Sequence, residues 1–161
     1  MVLKLIKLIV PVISVFVSYY LGQKQSARKL SREQALHRYN TFYVPLFTHL
    51  YAGAVWKFRP SAHSLEARSV FLDLITKNIS LLGVKSQMCY PDFHAAYIAM
   101  LEYDDGNSEF SAAPAKYDRA FNRLIESAMF EVKALSKELR LPPITHTYEI
   151  ALRRARGCRH R

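Results

Sequence analysis

Cysteine is almost missing from this chain. Two occur in 161 residues, Cys89 in the middle and Cys158 near the end, and no C-x-x-C pair is present. That excludes a disulfide framework and the paired-cysteine zinc sites. Glycine is also scarce, at five residues, and none belongs to a glycine-rich phosphate loop. No stretch sustains the alternating pattern of a half-buried strand, and no segment repeats. The carboxylates do not form the repeated carboxylate–histidine pattern of a di-iron bundle. The acidic run DDGNSE, residues 104–109, lacks the length and the spaced ligands of a calcium loop and reads as a turn. Asn78-Ile79-Ser80 matches a glycosylation triplet, but it sits inside an apolar helical pattern, and such triplets arise often by chance.

Acidic charge is short as well: 13 Asp and Glu stand against 23 Lys and Arg, for a net charge of +10. The excess is not spread evenly. Residues 1–38 carry seven basic residues against Glu33, and residues 144–161 carry five arginines against Glu149. Residues 39–143 hold 11 of each sign and are neutral. A polyanion would therefore be met at the chain's two ends, not on its middle.

What the sequence does have is an apolar start. From Leu8 to Gly22 no charged residue occurs, and counting from Leu3 adds only Lys4 and Lys7. A membrane-crossing helix needs roughly 20 mainly apolar residues, with about 17 the lower bound. Both lysines lie at the end of the run, where a long side chain reaches the headgroups. Tyr19 and Tyr20 stand at the other end, where an interfacial aromatic belt would place them. Pro11 counts against a long helix in water but is tolerated in a membrane helix. A cleaved signal peptide would need a small-x-small site, and the stretch before Gly22 reads SYYL. The segment 1–23 is therefore read as a single membrane anchor, with a buried or interfacial helix as the other choice. The basic flank is heavier after the span, at Lys24, Arg28, Lys29, Arg32 and Arg38, so the following domain is expected on the cytoplasmic side.

Residues 24–38 form a basic juxtamembrane segment with helical character. Ser31-Arg-Glu-Gln34 suits a helix start but fits equally inside one continuous helix. Leu36, Tyr39, Tyr43, Phe47, Leu50 and Ala54 then recur at three- and four-residue spacing, with Pro45 expected to kink or break the helix. A helix is expected from Ser64 to Leu82, apolar around much of its girth and hence central, with Gly83 just past its end. VKSQMCYPD is read as a loop, with Pro91 opening the next helix. Ala115–Arg140 carries the most regular stripe, Tyr117, Phe121, Leu124, Ala128, Val132, Leu135 and Leu139, and ends before Pro142-Pro143. A short helix is expected over 147–156. The fold class is all-α: an N-terminal transmembrane helix, a four- to five-helix bundle-like domain over 39–143, and a short helix with an Arg-rich tail over 144–161.

Chemistry-bearing residues are few. Cys89, Asp92 and His94 fall within six positions near an expected helix start, where a thiolate or a metal could be held. A structural cysteine and helix-start residues account for the same pattern, and no second ligand pair exists. His37 and His49 are twelve apart, too far for an i,i+4 metal pair. No catalytic residues, metal ligands or cofactor are therefore assigned. The aromatics Tyr39, Tyr43, Tyr51 and Trp56 are either core or a partner-binding groove. Arg153, Arg154, Arg156, Arg159 and Arg161, five arginines in nine residues, are too dense for a core. With Lys24, Arg28 and Lys29 they form the phosphate-contacting set, and anionic lipid headgroups are the nearest polyanion for an anchored chain. A protein partner or self-association would complete its role. Nucleic acid is the less favoured partner, because the folded middle offers no net basic charge. The function expected is binding or assembly at a membrane, recruiting a partner or modulating a membrane protein. A soluble nucleic-acid binder using the tail, and then an enzyme or metal site at Cys89 and His94, are the alternatives.

Overall fold

A computed structural model describes residues 2–52, 59–142 and 144–146, with backbone alone for residues 2–15 and 17. Among these residues every regular element is helical and no strand occurs. The chain divides into two units, Met1–Leu36 and His37–Arg161.

The first unit lies on α1, Val2–Arg38. Ser31 to Gln34 are inside this helix, so the capping-box pattern does not open a new one. Every described side chain from Phe16 to Gln34 is exposed, including Lys24, Arg28 and Lys29. Lys29 and Glu33 face each other at 4.0 Å across one turn. Among the residues with described side chains, no helix is long and apolar enough to cross a membrane. The apolar run from Leu3 to Val15, on which the anchor expectation chiefly rests, falls outside that set.

The second unit begins with a wide π-turn, Tyr39–Tyr43, that leads into α2, Val44–Ala52. Proline at 45 has no N–H to return to the preceding turn and its ring crowds the carbonyl there. The expected break is absent because the wider turn absorbs the proline: the Val44 N–H bonds the Tyr39 carbonyl five residues back. This arrangement drives Tyr39, Phe42, Tyr43, Leu46, Phe47 and Leu50 into the core.

A 3₁₀ turn over Pro60–Ala62 precedes α3, Leu65–Lys77, whose N-cap Ser64 accepts the Ala67 N–H at 3.3 Å. The helix stops at Asn78, short of Leu82, and a 3₁₀ turn covers Ile79–Leu81. It buries only Arg68, Phe71 and Ile75, so it is not the central helix that its apolar content suggests.

The stretch VKSQMCYPD is not a loop. It forms the first half of α4, Val84–Asp104, with Gly83 as its N-cap and Pro91 inside it. The tight turn at Gly106, with φ of +88°, and a 3₁₀ turn at Ser108–Phe110 then reverse the chain. The last helix, α5, runs Ala113–Leu139 and buries all seven stripe residues from Tyr117 to Leu139. It is the axis of the fold. Arg140 ends it in the left-handed conformation, φ 60° and ψ 39°.

Helices α4 and α5 form an antiparallel hairpin. Phe93 lies over Tyr117 and Phe121, with ring centroids 5.9 and 6.1 Å apart, and Phe71 of α3 meets Phe121 edge-on at 5.4 Å. Offset and edge contacts of this kind add about 0.5–1.5 kcal/mol each beyond their burial. The short helix expected over 147–156 lies outside the described residues.

Candidate functional site

Three polar features stand on this helical core. The first is Glu131, on α5. Its carboxylate accepts the Tyr43 hydroxyl at 2.8 Å, the Gly83 N–H at 2.9 Å, the Ser86 N–H at 3.1 Å and the Ser86 hydroxyl at 2.9 Å. Gly83 has no side chain to cap α4, so a carboxylate from another helix supplies the acceptor that the first-turn N–H groups need. A negative group at this end also complements the helix dipole. Burial, and then the hydrogen bond to Glu131, raise the Tyr43 pKa and keep its hydroxyl a donor. Glu131 is therefore a fastener that joins α5 to Tyr43 and to the start of α4.

The second is Arg68, which is 5 % exposed and pairs through Nη2 with Asp104. Its Nε and Nη1 find no acceptor among the described residues. Beside it, His63 has its pKa lowered, first by burial and then by the Arg68 charge. Pro60, Phe71, Tyr117 and Phe121 close the space around them, and no water fits there.

The third is open. A cleft of about 640 Å³ runs along the outside of the α4–α5 hairpin. Its floor is small: Ala96 and Ala99 from α4, and Ala120 from α5. Its edge is charged, with Lys116, Arg119 and Arg123 on α5 facing Asp92 on α4. Arg123 Nη1 lies 3.4 Å from Asp92 Oδ2, so one cation and the one anion offset each other. Lys116 and Arg119 have no ion-pair partner among the described residues.

The residues singled out in the sequence are scattered by comparison. Tyr39 and Tyr43 are core residues, 5 % and 0 % exposed, so their rings present no partner surface. Tyr39 donates to the Pro142 carbonyl at 3.3 Å, and half-buried Tyr51 donates to the Ile144 carbonyl at 3.1 Å. These tyrosines hold the chain that follows α5. Trp56 and the five tail arginines, Arg153, Arg154, Arg156, Arg159 and Arg161, lie outside the described residues. Cys89 is half-buried, while Asp92 and His94 are exposed on the same helix. Five residues turn a helix through about 500°, so Cys89 and His94 point well apart, and no described group of three side chains is arranged to hold a metal ion.

The α4–α5 cleft escaped sequence reasoning. Its signal was nevertheless present: alanines at 95, 96 and 99 and cations at 116, 119 and 123 follow helical spacing. What was missing was the hairpin register that sets the two stripes side by side. No family model matches the chain, and no curated protein or solved structure matches it.

Proposed function

We propose that this chain is a single-span membrane-anchored helical module that acts by binding or assembly rather than by catalysis, with its domain on the cytoplasmic face. The observation that carries this reading is the N-terminal segment. Its only charges before Lys24 are Lys4 and Lys7, at the far end. The described part of it exposes Phe16, Tyr19, Tyr20 and Leu21, at 70, 65, 67 and 51 %. Large side chains left so open are costly in water and suit an acyl–headgroup boundary. The exposed cations Lys24, Arg28 and Lys29 follow immediately, and each basic residue near an anionic leaflet contributes about 1 kcal/mol. The Arg-rich tail would add a second contact of the same kind.

Fractionation of the full chain against a chain beginning at Ser31 tests the reading. The full chain should sediment with membranes, resist high salt and come off only in detergent, and the shorter chain should remain in the supernatant. Release of the full chain by salt alone, or its recovery in the supernatant, would sink the anchor. Retention on an oligonucleotide that disappears when residues 153–161 are deleted would favour the nucleic-acid reading instead.

A further inference from the structure

We infer that the α4–α5 cleft is a docking groove for an acidic amphipathic helix of a partner protein. This rests on the reading of the chain as a binding module, and it names the partner's chemistry; it does not depend on the anchor.

The shape comes first. Asp92, Ala96 and Ala99 follow one another on α4, and Lys116, Ala120 and Arg123 on α5, each at helical spacing over eight residues. Two turns of helix are about 10 Å long. The two stripes belong to antiparallel neighbours, so they run alongside each other and leave a straight trough between them. Helices pack at 8–10 Å, and the closer distances need small side chains at the contact. A floor of alanines with a 640 Å³ cleft above it meets that need for a third helix.

The charge then selects the helix. Asp92 is occupied by Arg123, which leaves Lys116 and Arg119, along one wall, without an ion-pair partner among the described residues. A partner with Asp or Glu beside its narrow apolar strip would complete both, and complementary charge of this kind sets register and encounter rate. The chain's own segments outside the described residues, 53–58 and 147–161, carry net positive charge and would be repelled. A two-turn groove is small for a permanent interface, so the complex is expected to be transient and micromolar.

The test uses the full chain in detergent micelles and a displayed library of helical peptides. Selection should enrich peptides with Asp or Glu flanking a narrow strip of small apolar residues. Binding should fall about tenfold or more with Lys116→Glu combined with Arg119→Glu. Both side chains are exposed, so the fold should hold. Peptides with Lys in place of the flanking acids should then bind the double variant, a rescue that damaged folding would not give. Ala120→Leu should block both pairings by filling the floor. The proposal fails if selection enriches nothing, if the enriched peptides lack acidic bias, or if they bind the double variant unchanged. It also fails if the double variant loses an oligonucleotide or anionic vesicles while peptides never compete for the same cations. Sedimentation of the chain, which tests the anchor, is read separately and is unaffected by these outcomes.

Discussion

Arg68 is a charge held almost entirely out of water, and among the described residues one carboxylate, Asp104, pairs with it. Removing one partner of such a pair leaves the other uncompensated and costs about 3–5 kcal/mol, whereas replacing the charge by an apolar side chain of similar volume is often close to neutral. Asp104→Ala should therefore destabilise the fold by about 3 kcal/mol, and Arg68→Met by much less, because it removes Nε and Nη1, which lack acceptors among the described residues. Chemical denaturation of both variants reads the difference; equal losses would mean that the pair itself holds the fold. His63 adds a pH dependence. Its pKa is below the ordinary value of about 6.5 in the folded chain, so the unfolded chain takes up a proton first as pH falls. Stability tied to His63 is present above about pH 6.5 and is lost as pH drops through that value towards the folded pKa. Melting temperatures measured across about pH 5–7 should fall less steeply in His63→Gln than in the unchanged chain. An identical slope would remove His63 from the account.

At the scale of the element, α4 depends on a group outside itself. Its N-cap, Gly83, has no side-chain acceptor, and Glu131 holds the Gly83 and Ser86 N–H groups from across the hairpin. A Cβ at Gly83 would stand 2.7 Å from Glu131 Oε2 and closer still to the rest of the carboxylate. That carboxylate is tied by four hydrogen bonds, so moving it aside for a Cβ would break them, and glycine is favoured here for close approach and not for an unusual φ. Glu131→Ala strands four donors, each costing about 1–3 kcal/mol if it stays buried, with water recovering part of the loss. A net destabilisation of about 3 kcal/mol is expected for Glu131→Ala, and Gly83→Ala should lose a similar amount by displacing the same group. Amide exchange should show the first turns of α4 opening ahead of the rest; uniform loss of protection along α4 would argue against a local cap.

The same contact explains what the sequence concealed. The α5 stripe from Tyr117 to Leu139 was legible because its burial follows one local period, and so was the α3 start, because Ser64 caps its own helix. The first half of α4 was not, because its N-terminal partner is 48 residues away and Pro91 lies within it. Pro45 misled for a related reason: the residue type predicts a disturbed helix, but not that a π-turn will accommodate it. The cluster of Cys89, Asp92 and His94 is spread apart because these positions are helical: spacing that suits a loop puts Cys89 and His94 on different faces of α4. The cleft needed register, which neither helix carries alone.

At the scale of the whole chain, the two units call on different kinds of support. The His37–Arg161 unit contains the aromatic cluster, the Glu131 fastener and the Tyr39 and Tyr51 ties to the chain after α5. None of these uses a residue before His37. The described side chains from Phe16 to Gln34 are all exposed and contribute little apolar burial. Hydrophobic stabilisation scales with apolar area removed from water, at about 25 cal/mol per Å², so losing the exposed side chains from Phe16 to Leu30 should cost the folded domain almost nothing. A chain beginning at Ser31 should therefore keep its helical circular dichroism and unfold in one cooperative step. Its melting temperature should match that of the full chain in detergent to within a few degrees, since about 1 kcal/mol corresponds to roughly 4 °C in a domain of this size. A loss of cooperativity, or a drop well beyond that range, would show that residues before Ser31 are part of the folding unit, and that the apolar start is covered by the domain's own core instead of by lipid.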